Sequence, residues 1–165
     1  MARILIVGGG CRGRQLASAM VQEGHAVRIS TRTEAGRIEI EAAGAECWIG
    51  TPDRLATLRA ALDGVAILCW LLGSAAGSPR ELRELHTDRL RFFLTQAIDT
   101  TVRGFVYEAR GAASPPDLLG EGEEIARTLT KRNAIPAAFL TTDPRDLGAW
   151  LLDARAAIES LLSRP

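Results

Sequence analysis

Lysine is almost missing from this chain: one, Lys131, stands among 20 basic residues, and tyrosine occurs once, at Tyr107. Chemistry that needs an ammonium or a phenol therefore has one candidate of each type, and the two lie far apart in sequence. An excess of charge of either sign is missing as well. The 20 basic and 20 acidic side chains cancel to a formal net charge of +0, so nothing electrostatic draws the chain to DNA, RNA or an anionic membrane. No apolar run approaches the ~20 residues a bilayer span requires. The opening apolar segment is too short for a signal peptide and reads as a strand, so a cytoplasmic location is expected. Cysteine is sparse: Cys11, Cys47 and Cys69 fall in no metal-ligand spacing, and no metal is assigned. Their odd number, in or beside expected strands, reads as reduced thiols. Histidine is limited to His25, in a surface turn, and His86, expected near the surface in mid-helix.

What is present is concentrated at the amino end. Arg3-Ile4-Leu5-Ile6-Val7 is a short apolar strand that runs directly into Gly8-Gly9-Gly10-Cys11-Arg12-Gly13, a G-x-G-x-x-G turn at Gly8, Gly10 and Gly13. Leu16, Ala17, Met20 and Val21 then recur at helical spacing. In that context each glycine has a mechanical role. The first allows the tight turn, the second lets backbone approach a pyrophosphate, and the third lets the helix pack on the strand. The helix amino terminus supplies free N–H groups and a positive dipole end. Cys11, inside the turn, sits where a thiol pKa can fall, and is read as a small space-filler.

Strand and helix signals alternate along the whole chain, the pattern of a parallel sheet with crossover helices. Strands are expected at 3–8, 26–31, 46–49, 65–71, 103–108 and 135–140. Helices are expected at 12–23, 34–43, from Pro52-Asp53 onward, at 79–98, at 120–132, and from a cap at Asp143. The run Val65–Leu71 is apolar almost throughout, as befits a central strand covered on both faces. Six strands with these connections give an α/β fold, a doubly wound parallel sheet in the order 3-2-1-4-5-6. The 165 residues are read as one dinucleotide-binding domain over 1–165, with no separate substrate domain. In the 79–98 helix, Leu82, Leu85, Leu90, Phe93 and Leu94 form an apolar stripe expected to seek a partner helix, compatible with a homodimer.

The end of the second strand bears on the cofactor. An NAD site places an acid there to accept bonds from ribose hydroxyls, and that acid repels a 2′-phosphate. Here the strand ends in Ser30-Thr31-Arg32-Thr33, with no acid before Glu34. Arg32 can hold a 2′-phosphate bidentately, with Thr31 and its neighbours as donors and Arg12 and Arg14 adding to the field. NADP is therefore expected in preference to NAD. The candidate cofactor contacts are Gly8, Gly10, Cys11, Arg12, Gly13, Thr31, Arg32, Leu72 and Gly73. Tyr107, Glu108 and Ser114, around the end of the fifth strand, are the candidates for acid–base work on a small-molecule substrate. Alternation puts Tyr107 and Glu108 on opposite faces of the sheet, from which it follows that both cannot be core.

The chain resembles the short-chain dehydrogenase/reductase superfamily, in its extended and atypical, epimerase-like branch. The residues that carry the likeness are the Gly8/Gly10/Gly13 turn, Gly24-His25-Ala26-Val27, Gly44-Ala45-Glu46, Gly50-Thr51-Pro52-Asp53 and Leu58 to Val65. The resemblance implies a Rossmann fold, a nicotinamide dinucleotide and oxidoreductase or epimerase chemistry, with Asp53 near the adenine. It also implies a catalytic Tyr followed four residues later by Lys. Tyr107 and Lys131 do not have that spacing. Three readings stay open: an NADPH-dependent oxidoreductase without the usual pair, a non-catalytic module that senses nucleotide or docks on a partner, and a dimerisation or structural remnant of the fold with no bound cofactor.

Overall fold

The computed structural model describes Met1–Pro165. Six strands, β1 (Arg3–Gly8), β2 (Ala26–Thr31), β3 (Glu46–Ile49), β4 (Ile67–Leu71), β5 (Gly104–Glu108) and β6 (Ala137–Leu140), form one sheet in the order β3-β2-β1-β4-β5-β6. Every pairing is parallel. The order reverses between β1 and β4, so a crevice opens at the carboxyl ends of those two strands. The helices are α1 (Gly10–Gln22), α2 (Arg37–Ala42), α3 (Ala56–Arg59), α4 (Pro79–His86), α5 (Asp88–Ile98), α6 (Pro116–Arg132) and α7 (Leu147–Leu162). None is long and apolar enough to cross a membrane.

The period-two alternation of the strands divides the core into two layers. Leu5, Val7, Leu68, Trp70, Phe105 and Tyr107 face one layer, where they meet Leu58 of α3, Leu82 and Leu85 of α4, Phe93 of α5 and Ala126 of α6. Ile4, Ile6, Ile67, Cys69 and Val106 face the other, against Leu16 and Met20 of α1, Ile40 of α2 and Trp150 and Ile158 of α7. Trp70 and Phe93 pack with ring centroids 5.7 Å apart. Each fully buried side chain of this size contributes roughly 1.5–3 kcal/mol of transfer free energy. Burial also pushes the Cys69 thiol far up, so it stays protonated.

Several boundaries differ from the sequence reading. The expected 79–98 helix is two helices, broken at Thr87 (φ −124°, ψ −91°). Its hydroxyl donates to the Arg83 carbonyl at 2.7 Å, a back-bond of the kind that bends helices. The stripe expected to seek a partner is instead buried in this chain's own core: Leu82, Leu85, Leu90, Phe93 and Leu94 are all inside, and Phe92 is the one large apolar side chain exposed on α5. The homodimer expectation therefore loses its apolar face. His86 is also corrected, from surface to fully buried. The helix expected at 34–43 is a 3-10 turn, Glu34–Gly36, followed by α2.

The helix expected from Pro52 begins at Ala56, because residues 51–54 close a turn that the Thr57 hydroxyl ties to the Thr51 N–H. α6 starts four residues earlier than expected, since Pro116 takes the first helical position that proline favours. Asp143 is not the cap of α7. Asp146 fills that role, accepting from the Ala149 N–H at 3.1 Å, while Asp143 binds Arg145 (2.8 Å) and Arg110 (3.1 Å). These two acids stand three residues apart in one turn, and the one nearer the helix caps it.

Candidate functional site

The glycine turn has three distinct geometries. Gly8, Gly9 and Gly10 all have positive φ, at 84°, 85° and 52°. A Cβ on Gly8 would lie 2.6 Å from the Leu71 carbonyl oxygen and closer still to the Leu72 side chain, so the turn cannot be made there with any other residue. A Cβ on Gly13 would lie 2.9 Å from the Gly8 carbonyl oxygen: this is the close approach of α1 to β1. A Cβ on Gly10 would meet nothing within 4 Å and would project into open space at the mouth of the turn. No side chain caps α1 at Gly9, which leaves its leading N–H groups available to an anion.

Two hollows meet at this end, sharing Gly8, Leu72 and Ala75. One, about 390 Å³, runs past Thr31, Arg32, Gly50 and Pro52 at the ends of β2 and β3. The other, about 260 Å³, lies over Gly9, Gly10, Cys11, Arg12 and Ser74. Gly13 and Gly73 line neither hollow. Larger hollows of about 830 and 940 Å³ lie elsewhere, the first beside Asp63 and Thr101 before β4 and β5, the second along the β6 edge at Arg127 and Phe139. Ligands of doubly wound sheets bind outside the carboxyl ends of the strands, so chemistry selects the smaller pair over the larger.

Arg32 reaches across the first hollow to Asp53, at 2.9 Å, with both side chains largely exposed. Such a pair is worth roughly 0–1 kcal/mol, little enough for a phosphate to displace it. Glu34 does not compete, being held by Arg37, which keeps its carboxyl below the usual range. The expected positive field from Arg12 and Arg14 is smaller than the sequence implies, because each guanidinium faces a carboxylate. Arg14 lies 3.8 Å from Glu39, and Arg12 turns down to Glu108 at 3.3 Å, its guanidinium 5.2 Å from the Trp150 ring centre.

Tyr107 and Glu108 do point to opposite faces, yet both are fully buried, because helices cover the sheet on both sides. Glu108 Oε2 accepts from the Trp150 indole N–H (3.0 Å) as well as from Arg12. Burial pushes its carboxyl pKa up, and Arg12 and Trp150 pull it back. On the other face the Tyr107 hydroxyl lies 2.8 Å from His86 Nδ1, and His86 Nε2 lies 3.2 Å from the Leu72 carbonyl and 3.4 Å from Ser114 Oγ. The Leu72 oxygen can only accept, which assigns the proton to Nε2 and makes Nδ1 the acceptor of the Tyr107 O–H. Ser114 is buried with them.

Sequence reasoning missed His86 and Trp150. The available signal for His86 was its place one turn after Leu82 on the buried stripe; for Trp150 nothing in sequence distinguishes an indole that meets a carboxylate from one that packs. Burial pushes His86 down to about 4, the Leu72 carbonyl opposing. A histidine that must be neutral when folded, against ~6.5 when unfolded, makes stability fall with pH from about 6.5 and stop falling below about 4. The expected loss is on the order of 3 kcal/mol. Denaturant midpoints from pH 7 to pH 4 measure it, and His86→Gln should flatten that slope.

No protein-family model and no curated protein matches the chain. Solved structures do. Vestitone reductase from alfalfa (Medicago sativa) superposes with a TM-score of 0.62 at 16% identity, over 84% of this chain and 56% of that one. Triphenylmethane reductase from Citrobacter sp. gives 0.62 at 20%, over 84% and 48%, and has also been solved complexed with NADP(H). UDP-glucose 4-epimerase from Thermotoga maritima, solved with UDP-glucose, gives 0.67 at 12%, over 83% and 54%. The chain spans about half the length of these structures. What is shared at such identities is the fold: the chain has a doubly wound Rossmann fold like that of these two reductases and the epimerase.

Proposed function

We propose that this chain binds a nicotinamide dinucleotide at the Gly8–Gly13 turn, with NADP preferred to NAD, and that it does so as a non-catalytic module. The observation that carries the binding is Gly10, whose absent side chain leaves open space over an uncapped helix terminus. The α1 N–H groups would hold the pyrophosphate, and Arg32, with Thr31, would hold a 2′-phosphate. The reductase solved with NADP(H) supports this choice by fold alone. The hydride chemistry that a nicotinamide can supply would go unused in such a module.

The burial of Tyr107, Glu108 and Ser114 favours the non-catalytic use. Each is engaged with protein partners, and no acid or base among them reaches the two hollows. An NADPH-dependent oxidoreductase that drew its acid or base from these three would need one of them exposed. Parallel calorimetric titrations with NADPH, NADP⁺, NADH and NAD⁺ test the reading. Arg32→Ala is expected to weaken NADPH by about tenfold or more while leaving NADH unchanged, the loss of one charge-assisted bidentate contact. An unchanged NADPH affinity would remove the 2′-phosphate assignment.

A further inference from the structure

We propose that the adenosine diphosphate half of the dinucleotide carries the binding, and that the half of the fold that would seat the second nucleotide is closed by the loop between β5 and α6. This rests on the dinucleotide reading above and narrows its ligand class to adenosine diphosphates, whatever they carry beyond the second phosphate.

A doubly wound sheet consists of two mononucleotide-binding halves, with the dinucleotide lying across the crevice between them. In this chain the halves differ. At the ends of β1, β2 and β3 the hollows are open, from Arg32 through Gly8 to Gly10, with Leu72 and Ala75 after β4 as their shared wall. At the ends of β4 and β5 the backbone of one loop lies directly on the other. A Cβ on Gly111 would fall 1.7 Å from the Gly73 carbonyl oxygen, so the two segments are in backbone contact with no room for a side chain between them. The Ala112 N–H donates to Ser74 Oγ at 2.9 Å, and the Ser114 N–H to the Gly73 carbonyl at 3.3 Å.

The closure is anchored from below and from the side. His86 holds the Leu72 carbonyl and lies against Ser114, tying both loops to the buried Tyr107 hydroxyl. Arg110 pairs with Asp143 at 3.1 Å and draws in the loop after β6. Gly73 is itself wedged between the Glu108 carboxylate and the Arg110 carbonyl, where a Cβ would meet them at 2.8 and 2.9 Å. Neither hollow at the glycine turn is lined by any residue beyond Leu85, so β5, β6 and their loops contribute nothing to it. A chain built this way reads the 2′-phosphate and the diphosphate but not the redox state of the nicotinamide.

Calorimetry on the whole chain with NADPH, NADP⁺, 2′-phospho-ADP-ribose and nicotinamide mononucleotide tests this directly. The first three are expected to bind within about threefold of one another, and the mononucleotide not at all. The emission of the reduced nicotinamide should stay at its free value when NADPH binds. NADPH binding about tenfold or more tighter than 2′-phospho-ADP-ribose would overturn the inference and leave the dinucleotide reading standing, as would an enhanced, blue-shifted emission. Failure of all four to bind would overturn the dinucleotide reading and the inference with it.

Discussion

Gly10→Val is expected to reduce NADP affinity by about 100-fold or more, ~2.7 kcal/mol, in a protein that still folds. A Cβ at this position meets nothing within 4 Å, so the substitution starts into open space rather than into the core. The side chain stands in the space over the α1 N–H groups, where the second glycine of such a turn lets phosphate approach backbone. Because φ at Gly10 is +52°, the substitution also carries backbone strain. That strain is about 1–2 kcal/mol, and it calls for a control.

Gly24→Val provides the control. Gly24 has φ +88°, and a Cβ there also meets nothing within 4 Å. It follows the far end of α1, thus sharing the strain without touching the turn. Both variants should lose a few degrees of melting temperature, and only Gly10→Val should lose binding in the calorimeter. Equal loss of binding in both would assign the effect to strain, and retention in Gly10→Val would remove the site.

The fold was legible because its signals are local. β1 alternates apolar residues into both layers and ends in glycines whose positive φ no other residue adopts cheaply, so strand, turn and helix could be placed from residues 3–21 alone. The strand order followed from the regular alternation of elements. The candidate site was legible only where backbone makes it: Gly8, Gly10 and Gly13 each have the geometry their spacing implies. It was not legible where side chains from distant segments meet. That Glu108 faces Arg12, 96 positions away, and Trp150, 42 away, depends on tertiary packing that no periodicity encodes. The inference that Tyr107 and Glu108 could not both be core applied the alternation of a sheet with one wet face to a strand covered on both. The break at Thr87 escaped notice because the leucine spacing runs on across it from α4 into α5.

Gly122→Ala is expected to lower stability by roughly 2–3 kcal/mol, although the same change in an exposed stretch of helix is favourable. Gly122 is buried in α6, and its missing Cβ is where the Tyr107 hydroxyl sits: a methyl group there would lie 2.0 Å from that oxygen and 2.9 Å from the His86 carbonyl oxygen. The tyrosine would have to leave the position from which it serves His86, orphaning a buried ring nitrogen. The helix-propensity gain of about 1 kcal/mol is too small to offset that. For a chain of this size the melting temperature should fall by about 5–10 °C. Gly120→Ala, two positions earlier with nothing within 4 Å, should instead raise it slightly. Adding Tyr107→Phe to Gly122→Ala removes the clashing oxygen and should recover part of the loss, a coupling that a double-mutant cycle reads directly. If Gly122→Ala melted no lower than Gly120→Ala, the buried Tyr107–His86 contact would not be where the structure places it.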